Sequence, residues 1–225
     1  MNSPHDKRVS LPFRDRYEAG KLLAARLGVY QNRADVLVLA LPRGGVPVGF
    51  EVAQSLNTPL EVFVVRKLGV PGQEELAFGA IASGGVRVLN RFIIQELGMS
   101  QAMIDGVAAR ELRELERREQ LYRDNRPSPD VTGKAVILVD DGLATGSTML
   151  AGVSALRQKK PREIVVAVQV AAQGTCEDLG KEADEIVCLA TPEPFYAVGR
   201  WYIDFSQTTD DQVRELLQRA APQKV

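Results

Sequence analysis

Residues 136–150, VILVDDGLATGSTML, restrict the fold more than any other part of the chain. Val136, Ile137, Leu138 and Val139 are apolar without alternation, which reads as a strand covered on both faces. Asp140 and Asp141 close that strand. GLATGST follows, a run of small and hydroxyl residues, and helical spacing then resumes. A buried strand, an acidic end, a phosphate-sized loop and a helix start, in that order, point to an α/β chain with helices on both faces of a sheet.

The same grammar recurs along the chain. Residues 36–41, VLVLAL, form another doubly covered strand, followed by PRGGVPVG and a helix over 46–56 with Pro47 in its first turn. A second buried strand over 60–65 runs into Arg66 and Lys67. Further strands are expected over 164–170 and 185–189, with a helix over 176–183 between them. The expected fold is a three-layer sandwich with a mostly parallel central sheet, formed by one domain over 1–225. Ahead of it, 1–13 reads as a loosely held lead-in and 15–27 as an amphipathic helix ended by Gly28. Residues 68–85, rich in glycine, read as a mobile lid or as a hairpin pairing 78–81 with 86–89.

Residues 91–130 differ in kind and are expected to be a helical insertion. A short helix over 91–97 precedes a long, charged one capped by Ser100, with Met103, Val107, Leu112, Leu115 and Leu121 as its apolar positions. It would pack over one edge or supply a homodimer surface. Residues 125–130 read as a linker. The tail, 191–225, carries Phe195, Tyr196, Trp201, Tyr202 and Phe205, then a helix over 210–219 capped by Thr208 or Thr209.

Composition removes several functions. The 225 residues, 45% hydrophobic, suffice for a packed core, and a net charge of -1 does not by itself indicate a nucleic-acid surface, although it leaves room for a local basic patch. His5, the one histidine, lies in a polar terminus, so a histidine-based metal site or a Ser-His-Asp triad is not expected. Cys176 and Cys188 lack metal-ligand or disulfide-scaffold spacing and read as two thiols. No apolar run is long enough for a membrane helix and the first residues lack a signal-peptide core, so the default expectation is a cytoplasmic protein.

Adjacent carboxylates at a strand end are tolerated if solvated, or if they hold a metal or hydroxyls. A vicinal diol suits them, because each hydroxyl can donate to a carboxylate oxygen. Ala144, Thr145, Gly146, Ser147 and Thr148 then offer backbone N–H groups, hydroxyls and a helix N-terminus, which match a phosphomonoester. The lysine of GxxxxGK[ST] is missing, which disfavours an ordinary triphosphate loop. A diol beside a monophosphate describes a ribose 5-phosphate. Arg43, Gly44 and Gly45 follow a buried strand and can form an anion nest. Arg66 and Lys67, ending another strand, also invite an anion.

In these residues the chain resembles the type I phosphoribosyltransferases, whose signature of apolar strand, two acids and threonine-glycine loop VILVDDGLATGSTM matches closely. The resemblance implies that Asp140 and Asp141 contact the ribose hydroxyls and that residues 144–148 hold the 5-phosphate. Arg43-Gly44-Gly45 looks like the family's pyrophosphate loop, which often contains a cis peptide. Lys67 and Arg66 would contact pyrophosphate, under a flexible catalytic lid. LALPRGGVPVGFEVA, VFVVRKLGVPG and PEPFYAVGRWYIDF are similar to a narrower group of predicted phosphoribosyltransferases. The tail is also similar to hypoxanthine-type enzymes. That likeness suggests Tyr196 on the base and Asp204 on a metal. Trp201 is a further candidate for the base, and Asp140 for an indirect role at the metal. Asp204 stands one residue further from Gly199 than in that pattern.

The implied reaction is Mg²⁺-dependent transfer of ribose 5-phosphate from 5-phosphoribosyl 1-diphosphate to a nitrogen base, releasing pyrophosphate. Arg43 and Lys67 would stabilise the leaving charge. The alternatives are a non-catalytic or regulatory binder of phosphoribosyl diphosphate or nucleotide, and a hydrolase using the same site.

Overall fold

A computed structural model of the chain describes residues 9–123 and 128–221. His5 and part of the expected linker, 125–127, lie outside the described residues. In chain order the elements are α1 (Arg16–Arg26), β1 (Val36–Ala40), α2 (Gly45–Leu56), β2 (Leu60–Val62), β3 (Val65–Val70), β4 (Gln73–Ala82), β5 (Val86–Leu89), α3 (Arg91–Glu96) and α4 (Gln101–Arg123). They continue with β6 (Ala135–Val139), α5 (Ser147–Gln158), β7 (Glu163–Val170), α6 (Gln173–Leu179), β8 (Glu185–Ala190) and α7 (Asp210–Ala220).

The central sheet has five strands in the order β2-β1-β6-β7-β8. Every pairing in it is parallel, and β1 runs beside β6 from Val36 opposite Ala135 to Ala40 opposite Val139. All residues of β1 and β6 are buried, as their unbroken apolar runs require. On one face Val38, Ala40, Ile137 and Val139 pack with Leu23 of α1, Val52 of α2, Leu115 of α4 and Leu216 of α7. On the other, Leu39, Leu138 and Val166 pack with Met149, Val153 and Leu156 of α5. This is the expected three-layer α/β sandwich.

The strand order fixes where a ligand can go. From β1 the chain moves outward to β2, and it later returns to β6 on the opposite side of β1. Their following loops therefore diverge and leave a crevice at the carboxyl ends, the topological switch point where open α/β sheets bind ligands. The loops after β1 and β6 are the two glycine-containing stretches singled out in the sequence.

Residues 60–65 do not form one strand. The Phe63 N–H still donates to Ala40 O at 2.9 Å, but the Val64 N–H donates to Ser83 Oγ at 2.8 Å. That bond diverts the chain into a second, antiparallel sheet, β3-β4-β5. Arg66 and Lys67 thus lie on β3 rather than at the end of a central strand. The expected hairpin is present as β4 and β5, and β3 extends it into a three-stranded sheet.

The long helix buries most of the expected apolar positions and adds polar ones. Val107 and Leu115 are buried, but so are Ile104, Glu111, Tyr122 and Arg123, while Met103 is exposed and Leu112 and Leu121 are half-buried. The apolar pattern is incomplete, because polar side chains also anchor the helix from inside. Arg123 donates to Val62 O at 2.6 Å and to Glu119 at 2.7 Å, and the Tyr122 hydroxyl donates to Asp210 at 2.5 Å.

The expectation of a loose lead-in fails at Phe13, which is fully buried against Tyr202. Its N–H donates to Trp201 O at 2.8 Å, and its carbonyl accepts from Ile203 N at 2.7 Å. The two ends of the chain thus pair across the top of the sheet, a long-range contact that local polarity does not show. The two cysteines are likewise not thiols: Cys176 and Cys188 form a disulfide joining α6 to β8. Helix packing, not spacing, brings them together. Thr209, rather than Thr208, caps α7 in a reciprocal box with Gln212. No helix among the described residues is long and apolar enough to cross a membrane.

If the amino-terminal segment is integral to the core, Phe13→Ala will destabilise the chain by about 3–5 kcal/mol in urea unfolding. A loss of less than about 1 kcal/mol would show that the segment is peripheral.

Candidate functional site

Two turns meet at the switch point. After β1, residues 42–45 reverse direction through a cis peptide between Pro42 and Arg43, and α2 starts at Gly45. After β6, Asp140 and Asp141 precede the loop that ends in Gly146, and α5 starts at Ser147. Neither helix start carries a side-chain cap among the described residues. In α2 the turn itself meets the first N–H groups, Gly45 donating to Leu41 O and Val46 to Arg43 O, each at 3.1 Å. The dipoles of both helices favour an anion at these starts.

The turns touch through Gly44 and Asp141. A Cβ on Gly44 would run into Asp141 Oδ2, so only glycine allows this approach. The acids themselves are half-buried. Asp140 Oδ1 accepts the Asp141 N–H at 2.8 Å. Burial, reinforced by the Asp141 charge, holds the Asp140 carboxyl well above the usual carboxylate range. Burial raises Asp141 as well, against the opposing pull of Arg16. That guanidinium places Nε and Nη2 each at 2.8 Å from Asp141 Oδ2. The Tyr202 hydroxyl donates to the Asp141 carbonyl at 2.7 Å.

The second loop is held from below and open above. Leu143 N–H donates to Val170 O at 2.9 Å, and Thr175 Oγ1 donates to Ala144 O at 2.7 Å. Ala144, Thr145 and Ser147 are exposed, Gly146 and Thr148 half-buried, and the Thr145 and Ser147 hydroxyls lie 3.0 Å apart. Gly146 has φ +66°, and a Cβ there would meet Thr175 Cγ2 at 2.6 Å, so its residue type is fixed twice over. Two exposed hydroxyls thus stand beside a helix start, a setting of the kind that binds phosphate.

The expected cations are in three different states. Arg43 is half-exposed, with Nη1 3.9 Å from Asp210 at the start of α7. Arg66 is held by Glu111 of α4, with Nε at 3.0 Å and Nη2 at 2.6 Å from Oε2. Lys67 is exposed and lines a cavity of about 530 Å³ together with Ser147. Leu89, Leu150 and Asn90 also line it, so it lies between the β3-β4-β5 sheet and α5, beside the second loop.

The tail aromatics are mostly committed within the protein. Phe205 lies under Arg16 at 4.0 Å and beside Tyr202 at 5.1 Å, and Trp201 stacks on Phe195 at 6.4 Å. Tyr196 is 69% exposed and meets Arg200 at 5.1 Å. Asp204 is exposed, and its Oδ1 accepts the Ser206 N–H at 2.9 Å. The described residues contain no group of three or more His, Cys, Asp or Glu side chains able to hold a metal, so Asp204 does not form one with Asp140 and Asp141.

Several residues at the site were not found from the sequence: Arg16, Glu111, Tyr122 and Asp210. Each sits on a helix or in the tail, far along the chain from the residue it contacts. Arg16 looks like an ordinary first-turn residue of an amphipathic helix, and nothing in its neighbourhood signals that it turns inward.

Comparison with known proteins places the chain in a family. A Mycobacterium tuberculosis protein whose name, phosphoribosyl transferase Rv0571c, is itself provisional is 48% identical over 208 residues, covering 92% of this chain and 47% of that protein. The chain thus spans about half the length of the curated relatives it matches. The crystal structure of TT1426 from Thermus thermophilus superposes with a TM-score of 0.84 at 43% identity, covering 94% of this chain and 100% of that one. A ribose-phosphate pyrophosphokinase of Pyrococcus furiosus is 40% identical over 68 residues, 29% of this chain and 24% of that protein. The phosphoribosyl transferase domain profile matches residues 66–195, more than half of the sequence, and the chain belongs to that family, on the type I fold.

Proposed function

We propose that the chain transfers ribose 5-phosphate from 5-phosphoribosyl 1-diphosphate to a nitrogen base, with release of pyrophosphate. The observation that carries this reading is the contact of two uncapped helix-start turns at one switch point, with an acid pair at their junction. One turn suits a diphosphate, the other a monophosphate, and the acids between them suit the ribose hydroxyls.

In this reading residues 144–148 hold the 5-phosphate and fix the sugar's distal end. Asp140 accepts a ribose hydroxyl. The diphosphate lies along residues 43–45, where Arg43 and the α2 start meet charge that grows as the anomeric bond lengthens. Lys67 approaches from β3. Arg66 joins only by exchanging Glu111 for phosphate oxygens. The β3-β4-β5 sheet covers the reacting centre and limits attack by water. Of the aromatics expected to stack on the accepting base, Tyr196 has a free face to offer.

The donor set suits Mg²⁺, a hard cation commonly held by one or two carboxylates plus substrate phosphates. Asp141 Oδ2 is taken by Arg16, which leaves Asp140 as the carboxylate for this task beside the diphosphate. Bound there, the ion would neutralise and orient the leaving group.

The direct assay is pyrophosphate release from phosphoribosyl diphosphate and Mg²⁺ across a panel of purine, pyrimidine and related bases. Base-dependent release is expected. Saturable binding with no base-dependent turnover would favour a sensing role, and base-independent release a hydrolase. Two variants probe the geometry. Asp140→Asn is expected to weaken sugar-diphosphate binding by about tenfold or more, the worth of a charge-assisted hydrogen bond, with little change in melting temperature. Gly44→Ala is expected to lose binding more completely, because the methyl group displaces Asp141. Affinity within about twofold of the parent in both variants, less than the worth of a single hydrogen bond, would remove the acid pair and the first turn from the site.

A further inference from the structure

We propose that Arg16 is a positioning residue for the sugar-diphosphate site and that it divides the acid pair. It holds Asp141 as a buttress beneath the Gly44 turn, and leaves Asp140 as the acid presented to the ligand. This rests on the function proposed above.

Arg16 stands at the first position of α1, just after the N-cap Asp15, yet its side chain is only 10% exposed. Its edges and its face are all used. Nε donates to Asp141 Oδ2 at 2.8 Å and Nη2 lies 2.8 Å from the same oxygen, Nη1 donates to Ser206 O at 2.8 Å, and the guanidinium lies 4.0 Å over the Phe205 ring. A lysine has no planar fork with which to reproduce this set.

The other side of the same carboxylate oxygen faces Gly44. Asp141 is therefore clamped between the guanidinium and the turn that would cradle the diphosphate. Its remaining handles are committed as well: the carbonyl accepts from Tyr202 and the N–H donates to Asp140. A residue with its N–H, its carbonyl and one carboxylate oxygen engaged internally is poorly free to follow a ligand. Asp140 receives no bond from Arg16. The clamp also draws the ends of the chain together over the site, since Ser206 and Phe205 belong to the tail and Arg16 to the first helix. In this arrangement Arg16 acts through Asp141 on the shape of the Gly44 turn and touches no substrate.

The test is equilibrium binding of phosphoribosyl diphosphate with Mg²⁺ to the parent chain, Arg16→Ala, Arg16→Lys, Asp141→Ala and the double variant, with folding checked by circular dichroism. Arg16→Ala is expected to lose about tenfold or more in affinity, equivalent to the loss of a charge-assisted bond, with partial recovery in Arg16→Lys and on adding guanidinium ion to Arg16→Ala. Arg16→Ala with Asp141→Ala should be no worse than the poorer single variant, because the two residues act as one unit. Folded Arg16→Ala that binds like the parent, or whose loss adds fully to that of Asp141→Ala, overturns the assignment. So does an Arg16→Ala defect that neither lysine nor guanidinium relieves. If the parent chain itself fails to bind, the proposed function falls and the role of Arg16 falls with it. Binding by the parent with an indifferent Arg16→Ala removes Arg16 alone.

Discussion

The ion pair between Arg16 and Asp141 joins four parts of the chain that the sequence keeps far apart. It ties the first helix, the end of the central strand β6, the glycine turn after β1 and the aromatic tail into one unit. Both side chains are largely withdrawn from water, at 10% and 15% exposure. Removing one member of such a pair costs about 3–5 kcal/mol, because the other charge is left buried and alone. The pair also orders the crevice: it fixes the carboxylate against which Gly44 packs, and hence the approach of the two turns.

The parts of the site built from consecutive residues were legible in the sequence. Val136 to Val139 could only be a doubly covered strand, and the acids, small residues and helix start that follow name a ligand chemistry by their order. Parallel sheets are easy to read this way because burial on both faces removes the ambiguity of alternation. Gly44 was identified, and its reason appears only in three dimensions, where Asp141 occupies the space of a Cβ.

What failed to read were side chains that satisfy one another across the fold. Ser83 captures Val64 and turns the chain out of the central sheet, which moves Arg66 and Lys67 onto β3. Glu111, Tyr122 and Arg123 face inward on α4, so a reading based on apolar spacing found Val107 and Leu115 but missed these polar anchors. Phe13 and Arg16 look like members of a polar amino terminus until the tail is laid over them. The aromatic tail was noticed by its density, but most of its rings serve Arg16, Tyr202 and each other. Glu111 on Arg66 and Asp210 near Arg43 place carboxylates beside cations expected to receive phosphate, so α4 and α7 bear directly on how that site is entered.

The most direct test of the account is a crystal structure of the chain with phosphoribosyl diphosphate and Mg²⁺. The account predicts the 5-phosphate on residues 144–148, the diphosphate along residues 43–45 within reach of Lys67, and a ribose hydroxyl on Asp140, with Asp141 still bound to Arg16. A ligand with its phosphates elsewhere, or a sugar held by Asp141 after release from Arg16, would contradict it.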